Sequence, residues 1–76
     1  MTVEKKRQAA AYVMACGAVA EAIRDLREVP SGEMYARLMP HMTLDTYTKI
    51  IGTLTRAELI SVSASHLIRW IGPVKA

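Results

Sequence analysis

The sequence predicts a mainly α-helical fold of three helices followed by a small β-hairpin. Apolar residues recur at spacings of three and four over most of the first 57 positions, which is the helical period. Pro30 and Pro40 divide that stretch into three parts, and strict alternation replaces the helical period after Leu59. With 76 residues, positions 1–76 form a single domain that buries only about 60% of the surface of its unfolded chain.

The first predicted helix covers residues 3–28 and is apolar on more than one side. Its inward stripe consists of Ala9, Tyr12, Val13, Cys16, Val19, Ala20, Ile23 and Leu26. Between Ala9 and Ala20 the opposite side is apolar as well, and a helix of that kind needs cover all round. A domain of this size cannot supply that cover, so we expect a homodimer through this helix. The candidate interface residues are Ala11, Met14, Ala15 and Ala18.

The same segment has some features of a secretion signal, since Lys5–Arg7 precede an apolar run that ends in Ala18-Val-Ala20. We favour a retained helix, because the run is rich in alanine and its helical stripe continues to Ile23. The uncharged stretch 8–20 is also shorter than the roughly 20 residues that span a membrane. The sequence therefore predicts no membrane partner and a cytoplasmic location.

The second and third helices are delimited by helix-capping and helix-ending residues. Pro30 ends the first helix, because the residue before a proline is disfavoured in the α conformation. Ser31 is the predicted N-cap of a helix over about Gly32–Met39. Thr43 caps a third helix that ends near Ala57. The residues that this helix is expected to bury are Leu44, Tyr47, Ile50, Ile51 and Leu54.

Two short strands follow, at Ser61–Ser63 and His66–Ile71, joined by a tight turn at Ala64-Ser65. Alternation places Ile60 and Val62 on one face and the serines on the other. Gly72-Pro73 ends the hairpin.

The passage Leu54-Thr-Arg-Ala-Glu-Leu59-Ile60, followed by this hairpin, resembles a recognition helix that leads into the first strand of a wing. Over residues 31–71 the chain is similar to the winged helix-turn-helix superfamily, as in small bacterial and phage regulators. The resemblance implies a non-enzymatic, DNA-binding, transcription-regulatory homodimer whose third helix enters the major groove. The candidate DNA contacts are Thr46, Thr48, Lys49, Thr53 and Arg56 on that helix, with Lys5, Lys6 and Arg7 as a basic arm.

The chain departs from this pattern in two places. Position 58 is Glu where such helices often end with Gly, so either Glu58 adopts a left-handed conformation at some cost or the helix ends differently. The turn Ala64-Ser65 carries no cation that could bind a phosphate backbone.

Charge supports an alternative from another class, a winged-helix protein–protein interaction module that does not bind DNA. The formal net charge is +3, but residues 8–74 hold six basic and six acidic side chains and are therefore neutral. The excess positive charge lies at the two ends of the sequence. A neutral body and a hairpin turn without cations favour a protein partner over DNA.

The sequence does not predict an enzyme, a cofactor or a metal site. It contains no nucleophile elbow and no glycine-rich phosphate loop. His41, His66 and Cys16 lie in separate elements without the spacing of metal ligands. Cys16 is the single cysteine, which excludes an internal disulfide.

Overall fold

The computed structural model describes the backbone of residues 3–73 and the side chains of residues 9–73. Three helices, α1 (Val3–Leu26), α2 (Ser31–Leu38) and α3 (Leu44–Arg56), pack with a three-stranded antiparallel sheet. The strands are β1 (Glu28–Pro30), β2 (Ile60–Val62) and β3 (Leu67–Trp70), in the spatial order β1-β3-β2. The predicted fold class is confirmed, and the sheet has one strand more than the predicted hairpin.

The additional strand corrects the predicted end of the first helix. α1 ends at Leu26, two residues earlier than expected, and Arg27 turns the chain with a left-handed φ of 67°. β1 then pairs with β3, with Val29 opposite Ile68. Val29 is 3% exposed, so the pairing also adds one apolar side chain to the core. A helix that continued to Glu28 would lose both this burial and the strand pairing.

The hydrophobic core is one cluster to which all six elements contribute. Its buried members are Val19, Ile23, Val29, Met34, Tyr47, Ile50, Leu54, Ile60 and Ile68. Burial of side chains of this size contributes about 1.5–3 kcal/mol each. Every buried side-chain nitrogen or oxygen among the described residues has a hydrogen-bond partner. The core therefore fixes the position of α3 between α1, α2 and β2.

The caps of the two shorter helices differ from one another. Pro30, not Ser31, is the N-cap of α2, and α2 has no side-chain cap. The predicted capping role of Ser31 is thus wrong: its hydroxyl lies 3.0 Å from the Tyr47 hydroxyl, which in turn donates to the Ser31 carbonyl at 3.1 Å. The cap of α3 is confirmed, because the Thr43 hydroxyl accepts from the Thr46 amide at 3.2 Å. Leu44, predicted to be buried, is 58% exposed because it begins α3 at the edge of the core.

α3 ends with Glu58 in a left-handed conformation, with a φ of 60°, which is one of the two alternatives that the sequence left open. The Leu59 amide donates to the Leu54 carbonyl at 3.1 Å, and the Glu58 amide donates to the Thr55 carbonyl at 3.0 Å. These two bonds form a Schellman motif, which satisfies carbonyls at the helix end. The motif places Leu59 against the core and leads directly into β2.

The hairpin has the predicted facing but slightly different strand ends. Ile60 pairs with Trp70, and Val62 pairs with Ile68. Ile60 and Ile68 are buried, whereas Ser61 and Arg69 on the other face are exposed. In the turn, the Ser63 hydroxyl accepts from the Leu67 amide at 3.1 Å, and His66 has a φ of 63°. The tip at Ala64-Ser65 lies where the sequence predicted it.

Candidate functional site

The predicted DNA contacts on α3 lie on two flanks of the helix. Thr48, Lys49 and Arg56 are exposed, whereas Thr46 and Thr53 are half-buried. The Thr53 hydroxyl lies 2.8 Å from the Tyr12 hydroxyl of α1 and donates to the Lys49 carbonyl at 3.0 Å. Seven residues are close to two helical turns, so Thr46 and Thr53 share the side that faces α1. Thr53 therefore holds α3 against α1, and its hydroxyl is already bonded.

The outward face of α3 contains Lys49, Gly52 and Arg56, together with Asp45 one turn before Lys49. At 1.5 Å per residue, Lys49 and Arg56 are about 10 Å apart along the helix axis, close to the roughly 12 Å width of the DNA major groove. Between them, a Cβ built at Gly52 would contact one described atom beyond its own turn of helix, an Arg56 guanidinium nitrogen at 3.4 Å. Gly52 is half-buried, and the nearest described atom beside it belongs to the flexible Arg56 side chain, whose displacement would allow close approach to the backbone.

The two cations of this face have different surroundings. The Lys49 ammonium lies 3.2 Å from the Asp45 carboxylate one turn earlier, with both side chains mostly exposed. Such a surface pair contributes only about 0.3–0.5 kcal/mol, so an incoming phosphate can compete with Asp45 for Lys49. The Arg56 guanidinium lies 3.4 Å from the Thr53 hydroxyl, and within residues 9–73 it forms no ion pair.

The hairpin offers little positive charge. Ser63 and Ser65 bond to each other through their hydroxyls at 2.9 Å. On the exposed face of β3, the Arg69 guanidinium lies 3.5 Å from the Glu28 carboxylate of β1. The sheet therefore presents a compensated charge pair beside a neutral turn.

The predicted dimer residues of α1 also separate into two groups. Ala11, Met14 and Ala18 are exposed, and Met14 retains 75% of its accessible surface. Ala15 is half-buried and packs against the core cluster of its own chain. Val13, predicted to face inward, is 68% exposed, because it lies about 100° around the helix from the core-facing line through half-buried Tyr12 and buried Val19 and Ile23.

The basic arm Lys5, Lys6 and Arg7 belongs to the backbone of α1, but its side chains lie outside the described residues. The structure thus gives these cations a place along the helix axis. They occupy its first turns, in the half of α1 that precedes the exposed apolar residues.

An open cleft of about 380 Å³ separates α1 from the turn between α2 and α3. Its lining residues are Ala11, Tyr12, Ala15, His41, Met42 and Thr46. The sequence pattern did not reveal the cleft, because residues of α1 and of the α2–α3 turn come together only in the folded chain. Gly52 was also missed, although a glycine in the middle of an amphipathic helix is a recognisable signal.

Among the described side chains, Tyr47 has a clearly shifted pKa, and its position is structural. Burial raises the pKa of Tyr47, while the hydrogen bond with Ser31 acts in the opposite direction. This pair joins α2 to α3 and faces no cleft described above. Within the part of the chain that the structure describes, no three His, Cys, Asp or Glu residues are grouped to hold a metal ion. None of the described helices combines the length and the apolar character required to cross a bilayer.

No protein-family model, curated protein or solved structure matches this chain.

Proposed function

We propose that this chain is a winged-helix DNA-binding regulator that acts as a homodimer and inserts α3 into the major groove. The observation that carries the proposal is the outward face of α3, where Lys49 and Arg56 flank the backbone at Gly52. A glycine inside a helix costs about 0.5–1 kcal/mol relative to alanine. Packing among the described residues does not require a glycine at this position, whereas close approach of a DNA base edge to the helix backbone does.

The residues of α3 have distinct roles in this proposal. Lys49 and Arg56 contact phosphates or guanine edges, and Thr48 offers a hydroxyl and a methyl group to neighbouring bases. Thr46 and Thr53, both expected from the sequence to contact DNA, instead lie on the α1 side. These two threonines help to orient α3 against α1. A cytoplasmic location accords with this role.

A homodimer compensates for the small number of cations on one chain. Non-specific DNA affinity depends on the number of phosphates that a protein neutralises. Two copies of α3 present four cations, and dimeric helix-turn-helix proteins bind two half-sites related by their own symmetry. The exposed apolar residues of α1 supply the surface for pairing.

A titration with duplex DNA at 50 and 200 mM salt tests the proposal. We expect affinity that falls steeply with salt, because binding releases cations from the DNA and this release is less favourable at higher salt concentration. Lys49→Gln combined with Arg56→Gln should weaken binding at least tenfold and reduce the salt slope by about one unit per lost phosphate contact. Arg69→Gln, which removes a cation from β3, is the matched control and should retain most of the affinity.

Failure of wild-type protein to bind DNA in a salt-sensitive way would remove this proposal in favour of a protein–protein interaction module. Two observations favour that second candidate. The described side chains hold six basic residues and six acidic residues, and Lys49 already has Asp45 as a partner. The outward face of α3 would then dock a protein, with α1 again as the dimer contact. Equal losses from Lys49→Gln/Arg56→Gln and from Arg69→Gln would also count against a specific role for α3 in DNA binding.

A further inference from the structure

One line of residues on α1 follows a coiled-coil spacing on the side away from the core. We call it the outer seam: Arg7, Ala11, Met14, Ala18, Glu21 and Asp25. The steps between its members are four, three, four, three and four residues, which is the heptad spacing that keeps two helices in contact. At 100° per residue, this line lies roughly opposite the core-facing line through Tyr12, Val19 and Ile23. The outer seam thus points away from the chain's own core.

The described members of the outer seam are exposed. Met14 is 75% exposed, and the side chains of Glu21 and Asp25 are 67% and 71% exposed. Within the described residues these two carboxylates form ion pairs with Arg24 of the same helix alone, at 3.7 and 3.9 Å. The side chain of Arg7 is not described, and its membership of the seam rests on spacing along the α1 backbone.

The apolar stretch of α1 is too short to form a stable interface alone, so the charged ends of the helix must also take part in any stable pairing. The apolar stretch from Ala11 to Ala18 is about 10 Å long, whereas the whole helix of 24 residues is about 36 Å long. A stable interface buries about 800 Å² on each partner. The short apolar stretch cannot supply that area by itself, so the residues before and after it must also be in contact.

Charge then selects the direction in which the two helices run. Residues 4–7 (Glu4, Lys5, Lys6, Arg7) precede the apolar stretch with a net charge of +2, and Glu21, Arg24 and Asp25 follow it with a net charge of −1. A parallel pair would place cations against cations and carboxylates against carboxylates. An antiparallel pair places each basic end beside the acidic end of the other helix, which is the favourable arrangement.

We propose that α1 binds α1 of a second copy of this chain in an antiparallel seam centred near residue 16. Arg7 then lies opposite Asp25 of the second copy, and Met14 lies opposite its Ala18, a large side chain against a small one. A Cβ placed on Gly17, beside the centre, would have no described atom within 4 Å outside its own helix, which permits close approach. This inference rests on the homodimer of the proposed function and adds its geometry.

The antiparallel seam gives the basic arm a different role from the one expected from the sequence. In the pair, Arg7 lies beside Asp25 of the second copy and selects the direction of pairing, whereas Lys5 and Lys6 lie off the outer seam. Arg7 is then occupied in the seam and does not follow the DNA backbone. Because the outer seam lies opposite the side of α1 that packs on α3, the two α3 helices remain on the outside of the dimer.

Disulfide trapping distinguishes the two directions. In a Cys16→Ala background, chains with Ala11→Cys and chains with Glu21→Cys are mixed in equal amounts and oxidised, one of them carrying a tag that changes its mass. The antiparallel seam brings Ala11 beside Glu21 of the second copy, so the mixed disulfide should predominate. Two copies of Ala11 are then about 15 Å apart along the axis, too far for a disulfide. A parallel pair would instead yield the two unmixed dimers.

The outcomes separate this inference from the proposed function. A predominance of unmixed disulfides would overturn the antiparallel seam and leave the homodimer intact, while sedimentation of wild-type protein as a monomer would remove both. DNA binding is read from the salt titration alone. As a second measurement, Asp25→Arg should raise the dimer Kd by about tenfold, and adding Arg7→Glu to the same chain should restore it. Absence of that rescue would also overturn the seam.

Discussion

At the residue scale, the hydrogen bond between Tyr12 and Thr53 joins the helix proposed for pairing to the helix proposed for DNA binding. Their hydroxyls lie 2.8 Å apart, 41 positions away from each other in the sequence. Thr53 also donates to the Lys49 carbonyl and lies 3.4 Å from the Arg56 guanidinium. One hydroxyl thus connects α1 with the backbone of Lys49 and with the guanidinium of Arg56.

Removing either side of this hydrogen bond should destabilise the fold modestly. We expect Tyr12→Phe and Thr53→Val each to lower the free energy of unfolding by about 0.5–1.5 kcal/mol. The double variant should lose less than the sum, because the two residues share one interaction. Urea denaturation at a fixed protein concentration provides the measurement.

Thr55→Val is the matched control for that cycle. Thr55 lies on the same helix, and its exposed hydroxyl donates to the Ile51 carbonyl without reaching α1. Its substitution should change stability by less than the Thr53 substitution does. Equal effects at positions 53 and 55, or full additivity with Tyr12→Phe, would show that the α1–α3 bond contributes nothing.

At the element scale, the ends of α1 and α3 use the same device, a left-handed residue that is not glycine. Arg27 follows α1 with a φ of 67°, and Glu58 follows α3 with a φ of 60°. This conformation costs a residue with a Cβ roughly 1–2 kcal/mol. In both places it directs the chain from a helix into a strand of the sheet.

Glu58→Gly should leave the thermal stability unchanged or raise it, by up to about 1 kcal/mol. Glycine removes the strain of the left-handed conformation, and its greater freedom in the unfolded chain offsets part of that gain. Glu58→Ala keeps the strain and serves as the control for loss of the carboxylate. A loss above about 1 kcal/mol in the glycine variant, measured by thermal or urea unfolding, would contradict this account of the α3 end.

The elements that local patterns control could be predicted from the sequence. The Thr43 cap and the alternation of Ile60 and Val62 depend on neighbouring residues, and both are confirmed. The sequence left two alternatives open for Glu58, and the structure shows the left-handed one. β1 could not be predicted in the same way. It has three residues, and its strand conformation depends on pairing with β3 near the other end of the described chain.

The candidate site shows the same division between local and tertiary information. The amphipathic period of α3 separates its polar residues from its apolar ones. It does not show which polar flank another helix covers, and α1 covers the flank with Thr46 and Thr53. Likewise, Ala15 packs on the core although the sequence predicted it at the dimer interface, and Val13 is exposed although the sequence predicted it to face inward. The rotation of α1 about its own axis is set by tertiary packing.

At the scale of the whole molecule, pairing through α1 should make stability depend on protein concentration. A homodimer is stabilised by mass action, so the thermal midpoint of the wild type should rise with concentration. Met14→Glu should abolish that dependence, because it places a charge in the outer seam while leaving the core intact. Thermal unfolding at micromolar and at submillimolar protein concentrations provides the measurement.

Leu44→Glu is the control for this comparison. Leu44 is another exposed apolar residue, at 58% exposure, but it lies on α3 and outside the outer seam. Its variant should retain the concentration dependence. A wild-type midpoint that is constant across concentrations, or one that responds equally to both substitutions, would contradict pairing through α1.

The position of β3 has a consequence for the order in which the molecule assembles during synthesis. β3 is the middle strand of the sheet, yet it is the last described element to leave the ribosome. Until it emerges, Val29 has no partner in Ile68, and β1 and β2 have nothing to join them. The three helices can form early from local contacts, whereas the sheet must wait for its central strand. β1, which the sequence pattern did not predict, is therefore also the strand that waits longest for its partner.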